Sequence, residues 1–217
     1  MASQQLLFDF PGASDFRAET TLPLPEQKLA RQALYELTQG GLIIEGAVGS
    51  GKSHLLNVWA GERDYPVLSP EDLPTLPLPL YAAIDGGTLT HATQENTEAA
   101  EKLFHIFNHV RTEGGLFVLT TSVPVAQLKL LPDLRTRLMT LPVARIDDFS
   151  EASLMQLLLK WAADCQLKLD KAVITYILKR AERSPVTLRA LIARLNTLSL
   201  AEKRSVTVPL ARLALEG

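Results

Sequence analysis

"GAVGSGKS", residues 46–53, follows the apolar run "LIIE" and leads into the helical pattern "HLLNVWAGE". It matches G-x-x-x-x-G-K-[ST], and the order of strand, glycine-rich turn and helix is what makes the match informative. The glycines let the backbone turn tightly enough for successive N–H groups to face phosphate oxygens. The start of the following helix adds partial positive charge. Lys52 is expected to reach the β- and γ-phosphates and Ser53 to hold Mg²⁺, because a Lys-Ser pair in a turn has no packing reason to be there. Gly46, Val48, Gly49, Ser50, Gly51 and His54 make up the rest of the expected cradle.

Such a loop needs a carboxylate on a neighbouring strand to hold the metal, directly or through water. "YAAID", residues 81–85, supplies Asp85 at a strand end. Hydrolysis generally wants a further acid next door to orient the attacking water, yet Gly86 and Gly87 follow. The chain is therefore expected to bind nucleotide and metal and to hydrolyse poorly, with Glu95 and Glu98 open as substitutes.

Working outward, "LPEQKLARQALYELTQGG" places Leu29, Ala30, Ala33, Leu34 and Leu37 at helical spacing, with Gly40 and Gly41 expected to end the run. "YPVLS" (65–69) reads as a second strand and the proline-rich residues 70–80 as loop. In residues 93–115, Leu103, Ile106, Phe107 and Val110 share one helical face, stopped by Gly114–Gly115. "LFVLTTS" (116–122) is a buried strand, 123–138 an irregular stretch with a short helix, and "PVARIDDF" (142–149) a final strand. Alternating strands and helices predict an α/β domain with a mainly parallel sheet. From Ser150 the texture becomes helical: three amphipathic helices, with Asp170 and Ser184 as N-caps and Pro185 at a first helical position, then a short extended piece and a last helical turn or two. The division expected is a peptide over 1–12, an α/β nucleotide-binding domain over 13–149 and an α-helical lid over 150–217.

The chain has 217 residues, 47% hydrophobic and 21% charged, as globular proteins do. No apolar run approaches a bilayer span and no signal peptide is evident. The single cysteine, Cys165, has no internal partner and reads as a structural thiol, which favours the cytoplasm. Residues 1–150 hold 11 Lys and Arg against 18 Asp and Glu, a net −7, whereas residues 151–217 hold 11 against 6, a net +5. That asymmetry fits two ordinary solvated surfaces, or a helical part that meets an anionic ligand or partner. Neither part is basic enough for autonomous DNA binding. His105 and His109 lie four apart on one helix, but no third metal ligand is evident. Trp59 and Trp161 read as packing residues.

With these pieces in place, the sequence resembles an AAA+ protein of the bacterial initiator clade. "GSGKSHLL" (49–56) is similar to the clade's P-loop, and "LFHIFNHVRTEGGLFVLTTSVP" (103–124) to its helix and following strand, which ends in a polar sensor residue, here Ser122. "LPDLRTRL" (131–138) resembles its arginine-finger box and "VTLRALIARLN" (186–196) its lid helix. The resemblance implies that Arg137 is an arginine finger, with Arg135 as the rival, and that Arg189 contacts the phosphates of the chain's own nucleotide. Thr121-Ser122-Val123 stands where relatives tend to have an acid and an arginine, which, with Gly86, favours a stable ADP complex. The chain has no counterpart of the initiator's helix-turn-helix domain, so sequence-specific DNA binding is not expected.

An AAA+ core with a short N-terminal peptide is similar to the Hda family, regulators that inactivate the replication initiator DnaA. The resemblance implies binding of ADP or ATP with Mg²⁺, docking on the DNA polymerase sliding clamp, hydrolysis of DnaA-bound ATP promoted in trans, and a possible homodimer. "QLLFDF", residues 5–10, resembles the family's clamp-binding hexapeptide. Gln5 would hydrogen-bond in the clamp groove, and Leu6, Phe8 and Phe10 would fill its apolar pockets. The competing function is an AAA+ ATPase acting as a helicase loader or remodeller, against which Asp85-Gly86-Gly87 argues.

Overall fold

The computed structural model describes residues 22–89 and 97–216. Five strands form one sheet: β1 (Gly40–Gly46), β2 (Val67–Leu68), β3 (Tyr81–Asp85), β4 (Leu116–Thr121) and β5 (Val143–Ile146), in the order β2-β3-β4-β1-β5. Every pairing is parallel. The helices of this part are α1 (Lys28–Glu36), α2 (Lys52–Gly61), α3 (Thr97–Thr112) and α4 (Pro132–Leu138). The α/β architecture predicted from the alternation is the one observed.

Strand alternation splits the core over two faces. Leu42, Ile44, Ala83 and Val118 pack with Ala30 and Leu34 of α1 and Leu56 and Trp59 of α2. Ile43, Ala82, Ile84, Phe117 and Leu119 pack with Leu103, Ile106, Phe107 and Val110 of α3 and Leu134 and Leu138 of α4. Phe107 meets Phe117 edge-on, with ring centroids 5.1 Å apart. β4, buried along its whole length, carries no polar-apolar alternation, as a central parallel strand need not.

Several expectations are adjusted. Gly40 and Gly41 do not end α1, which stops at Glu36; they open β1 instead. A Cβ on Gly41 would lie 3.1 Å from the Phe117 carbonyl, so small size is needed in the sheet itself. Leu29 is 70% exposed, because the turn of α1 that buries Ala30 and Leu34 points it outward. The second strand shrinks to Val67–Leu68 at the sheet edge, where Pro66 has no N–H to give to a ladder. Gly114 does stop α3: at φ +72° it lets the Gly115 N–H reach the Val110 carbonyl at 2.8 Å.

The C-terminal part is α5 (Glu151–Asp164), α6 (Lys171–Arg180), α7 (Pro185–Glu202) and α8 (Val208–Glu216) around their own core, which includes Leu158, Ile177, Leu195 and Leu210. The tail follows the expected order, an extended piece and then a short helix, α8, of 9 residues. Asp170 caps α6, accepting the Val173 N–H at 2.8 Å. Ser184 stands at the N-cap of α7 but makes no capping bond with its side chain, and Pro185 occupies the first helical position, where its fixed φ suits the helix. Trp59 is buried and Trp161 packs against the helical core.

Candidate functional site

β1 delivers residues 46–53 to the carboxyl edge of the sheet, beside β4 and β3, where open α/β sheets bind ligands. Gly49 (φ +82°) and Gly51 (φ +84°) occupy the left-handed region, which gives the loop its curl and starts α2. The loop is also hemmed in. A Cβ on Gly51 would lie 2.3 Å from Nε2 of Gln27, one on Gly46 2.7 Å from Oγ of Ser50, and one on Gly49 2.5 Å from Cγ2 of Val186 in the first turn of α7. Val48, in contrast, is 73% exposed at the loop's tip.

Lys52 is buried and folds back on the loop, donating to the carbonyls of Gly46 and Ala47, both at 2.7 Å. Burial pushes its ammonium pKa down and the charge of Asp85 opposes that. The pair expected from sequence is therefore brought within electrostatic reach. Ser53 is exposed at the start of α2. Its hydroxyl and the Asp85 carboxylate are hard oxygen donors of the kind Mg²⁺ takes, alongside phosphate oxygens. Among the described residues no three His, Cys, Asp or Glu side chains gather to hold a metal alone.

Asp85 sits at the end of β3, and its Oδ1 accepts the hydroxyl of Thr120 at 2.8 Å. The Gly86 N–H donates to the same Thr120 oxygen at 3.2 Å. Thr120, fully buried, carries no signal in the sequence that sets it apart from the neighbouring Thr121-Ser122-Val123. Thr121 turns to Val123, donating to its carbonyl at 2.7 Å, and Ser122 is half-buried beyond the strand's end. Only the register, Asp85 opposite Thr120, reveals the partnership.

Gly86 has no room for a side chain: a Cβ would lie 2.3 Å from the Thr120 carbonyl and within 2.8 Å of Leu89 and Leu119. Of the two substitute acids, Glu95 lies outside the described residues. Glu98 is 72% exposed and pairs with Lys102 at 2.7 Å.

The helical part meets the cradle at two points. Val186 lies against Gly49, and His54, half-buried, has its imidazole pKa pushed down by burial and by the charges of Lys160 and Arg189. Arg189, exposed one turn beyond Val186, is thus close enough to act on the first turn of α2. Burial and Asp164 push the Cys165 thiol up against the opposing charge of Arg189, which makes it a poor nucleophile.

Arg137 stands apart from this cluster, on α4. Its Nε donates to Asp133 at 3.0 Å and its guanidinium lies 5.7 Å from the Phe104 ring centre. Arg135 is two residues away, which on a helix turns it by about 200°. Gln5, Leu6, Phe8 and Phe10 lie outside the described residues.

Residues 151–215 match the family model for the Hda lid domain. No curated protein sequence matches the chain significantly. The fold is similar to domain III of the Thermotoga maritima replication initiation protein DnaA (20% identity, 95% of this chain and 98% of that one, TM-score 0.78). It is similar to AMPPCP-bound DnaA from Aquifex aeolicus (20% identity, 88% and 66%, TM-score 0.67). It also resembles the Thermotoga maritima RuvB Holliday junction branch migration motor (16% identity, 87% and 65%, TM-score 0.60). The helical part thus matches the Hda lid domain, and the chain has the fold of DnaA domain III.

Proposed function

We propose that this chain is a nucleotide-holding regulator of chromosomal replication that acts on DnaA. It binds ADP or ATP with Mg²⁺ through Gly46–Ser53 and Asp85, with His54, Ser122 and Arg189 completing the site. It docks on the sliding clamp through residues 5–10 and supplies Arg137 in trans to ATP held by DnaA. The AMPPCP bound in a similarly folded DnaA supports the nucleotide. The lid match supports the regulatory role.

The observation that carries the reading is the contrast between Lys52 and Gly86. The cradle keeps its buried lysine, within electrostatic reach of Asp85. The position after Asp85, where a carboxylate would orient water, is packed so tightly that no side chain fits. Such a site favours holding a nucleotide over turning it over, and the hydrolysis promoted is then the partner's.

The chain's own residues divide the work. Backbone N–H groups and Lys52 compensate phosphate charge. Ser53 and Asp85 are the residues that would hold Mg²⁺, which would offset phosphate charge, and Thr120 orients that carboxylate. Arg137 stabilises charge that develops on the partner's γ-phosphate during transfer.

A pull-down with purified sliding clamp, comparing the full chain with one lacking residues 1–10, tests the docking. Loss of capture on truncation is expected; equal capture removes the peptide from the reading. Lys52→Ala should weaken ADP binding in calorimetry, and unchanged affinity would refute the cradle.

A further inference from the structure

The short turn Pro25–Gln27, ahead of α1, touches both halves of the molecule through adjacent side chains. Glu26 faces the lid. Its Oε1 accepts the Ser150 N–H at 2.9 Å, and both carboxylate oxygens lie 2.9 Å from the Ser153 hydroxyl. Ser150 is the N-cap of α5, its own Oγ accepting the Ser153 N–H at 3.2 Å. The carboxylate thus sits on the first turn of the first lid helix, where unpaired N–H groups and the helix dipole favour negative charge. Burial alone would raise its pKa, but the hydrogen bonds from Ser150 and Ser153 outweigh it and hold the carboxyl below its usual range.

Gln27 faces the other way. It is buried, and its Nε2 donates to the Ser50 carbonyl at 2.8 Å. The peptide is planar and trans, so fixing the Ser50 carbonyl also fixes the direction of the Gly51 N–H on the opposite side of that bond. That N–H belongs to the phosphate cradle. Glu26 and Gln27 are consecutive, with Cα atoms about 3.8 Å apart, so a shift of the first turn of α5 relative to the cradle loads one or both of these contacts.

We infer that Glu26 and Gln27 are positioning residues that couple the seating of the lid to the shape of the phosphate cradle. The inference rests on the nucleotide-binding reading for its consequence, but the coupling itself belongs to the chain alone. Ordering the cradle on a phosphate steadies the Ser50 carbonyl, hence Gln27, hence Glu26 on α5. By reciprocity, a seated lid prepares the cradle. Neither residue acts on a reacting atom.

Hydrogen–deuterium exchange on the full-length chain tests this without nucleotide. Glu26→Ala should speed exchange at the start of α5 and also over residues 49–53, which Glu26 does not bond. Gln27→Ala should speed exchange at residues 150–154 in turn. Ser153→Ala, which leaves both turn residues in place, should reproduce the remote effect at the cradle. Thermal melts confirm that each variant is folded, and Glu26→Gln serves where Glu26→Ala is not. In an ADP titration, each single variant should bind about 5-fold or more weakly, the lower end of typical couplings. The double variant should be no weaker than the weaker single by more than about twofold, since both cut one bridge. Exchange confined to each residue's own contacts, or losses that multiply in the double variant, overturns the inference. If the wild-type chain binds no ADP, the nucleotide reading fails while the exchange result still decides the coupling.

Discussion

Thr120 donates its hydroxyl to the Asp85 carboxylate at 2.8 Å, and the two are register partners across β4 and β3. The same oxygen accepts the Gly86 N–H, so one buried hydroxyl orients the acid and satisfies the backbone that follows it. Thr120→Val keeps the shape and removes the oxygen. A buried N–H left without a partner costs about 1–3 kcal/mol, so the melting temperature should fall. Mg²⁺-dependent gain in ADP affinity should also shrink, while affinity in EDTA changes less. An unaltered Mg²⁺ dependence in paired titrations would remove Thr120 from the metal site.

Gly86→Glu places an acid where active ATPases carry one. Turnover should not rise, because the new Cβ would meet the Thr120 carbonyl at 2.3 Å. Overpacking of this kind costs about 1–3 kcal/mol, and for a chain of this size each kcal/mol lowers the melting temperature by about 2–4 °C. Steady-state phosphate release and a thermal melt check both halves. A folded, faster variant would show that the glycine is a simple loss of function rather than a packed position.

The legible parts of the fold were those with strong periodicity or fixed chemistry. The glycine-rich loop between β1 and α2 was readable because the G-x-x-x-x-G-K-[ST] pattern fixes an order of strand, turn and helix. The buried face of α3 was readable from four apolar positions. What escaped detection depends on register and tertiary proximity. Thr120 looks like any residue of a buried strand until β3 is laid beside it. Glu26 and Gln27 lie in an unremarkable turn, and their partners are more than a hundred residues away in one case and 23 in the other. The inward turn of α1 that exposes Leu29 is likewise set by packing, since Leu29 and Ala30 both satisfy a helical pattern.

The Glu26 carboxyl gives a pH signature of the lid contact. Its folded pKa lies below the reference value of 4.5. The folded state therefore binds its proton less readily than the unfolded chain does, and the stabilisation is fully present above that reference and lost as pH falls through the lower folded value. Wild type and Glu26→Gln should differ most in melting temperature near neutrality and converge in acid. Parallel curves down to the acid limb would mean that the carboxylate's charge contributes nothing to holding α5.

Arg137 is held at rest by groups of its own chain. Its side chain is 41% exposed, paired with Asp133 one turn back and laid over Phe104. Exposed pairs at this helical spacing contribute about 0.3–0.5 kcal/mol, so a partner's phosphate can displace Asp133 readily. Arg137→Ala should leave the melt and clamp capture nearly unchanged and remove the stimulation of ATP hydrolysis on DnaA, where fingers of this kind contribute about 10³–10⁵ in rate. Arg137→Lys should not restore it, because an ammonium lacks the planar fork. Asp133→Asn should stimulate at least as well as wild type, having released the guanidinium. Single-turnover hydrolysis of DnaA-bound ATP, in the presence of clamp, measures all three. Full stimulation by Arg137→Ala together with its loss in Arg135→Ala would transfer the finger to Arg135, on the other side of α4.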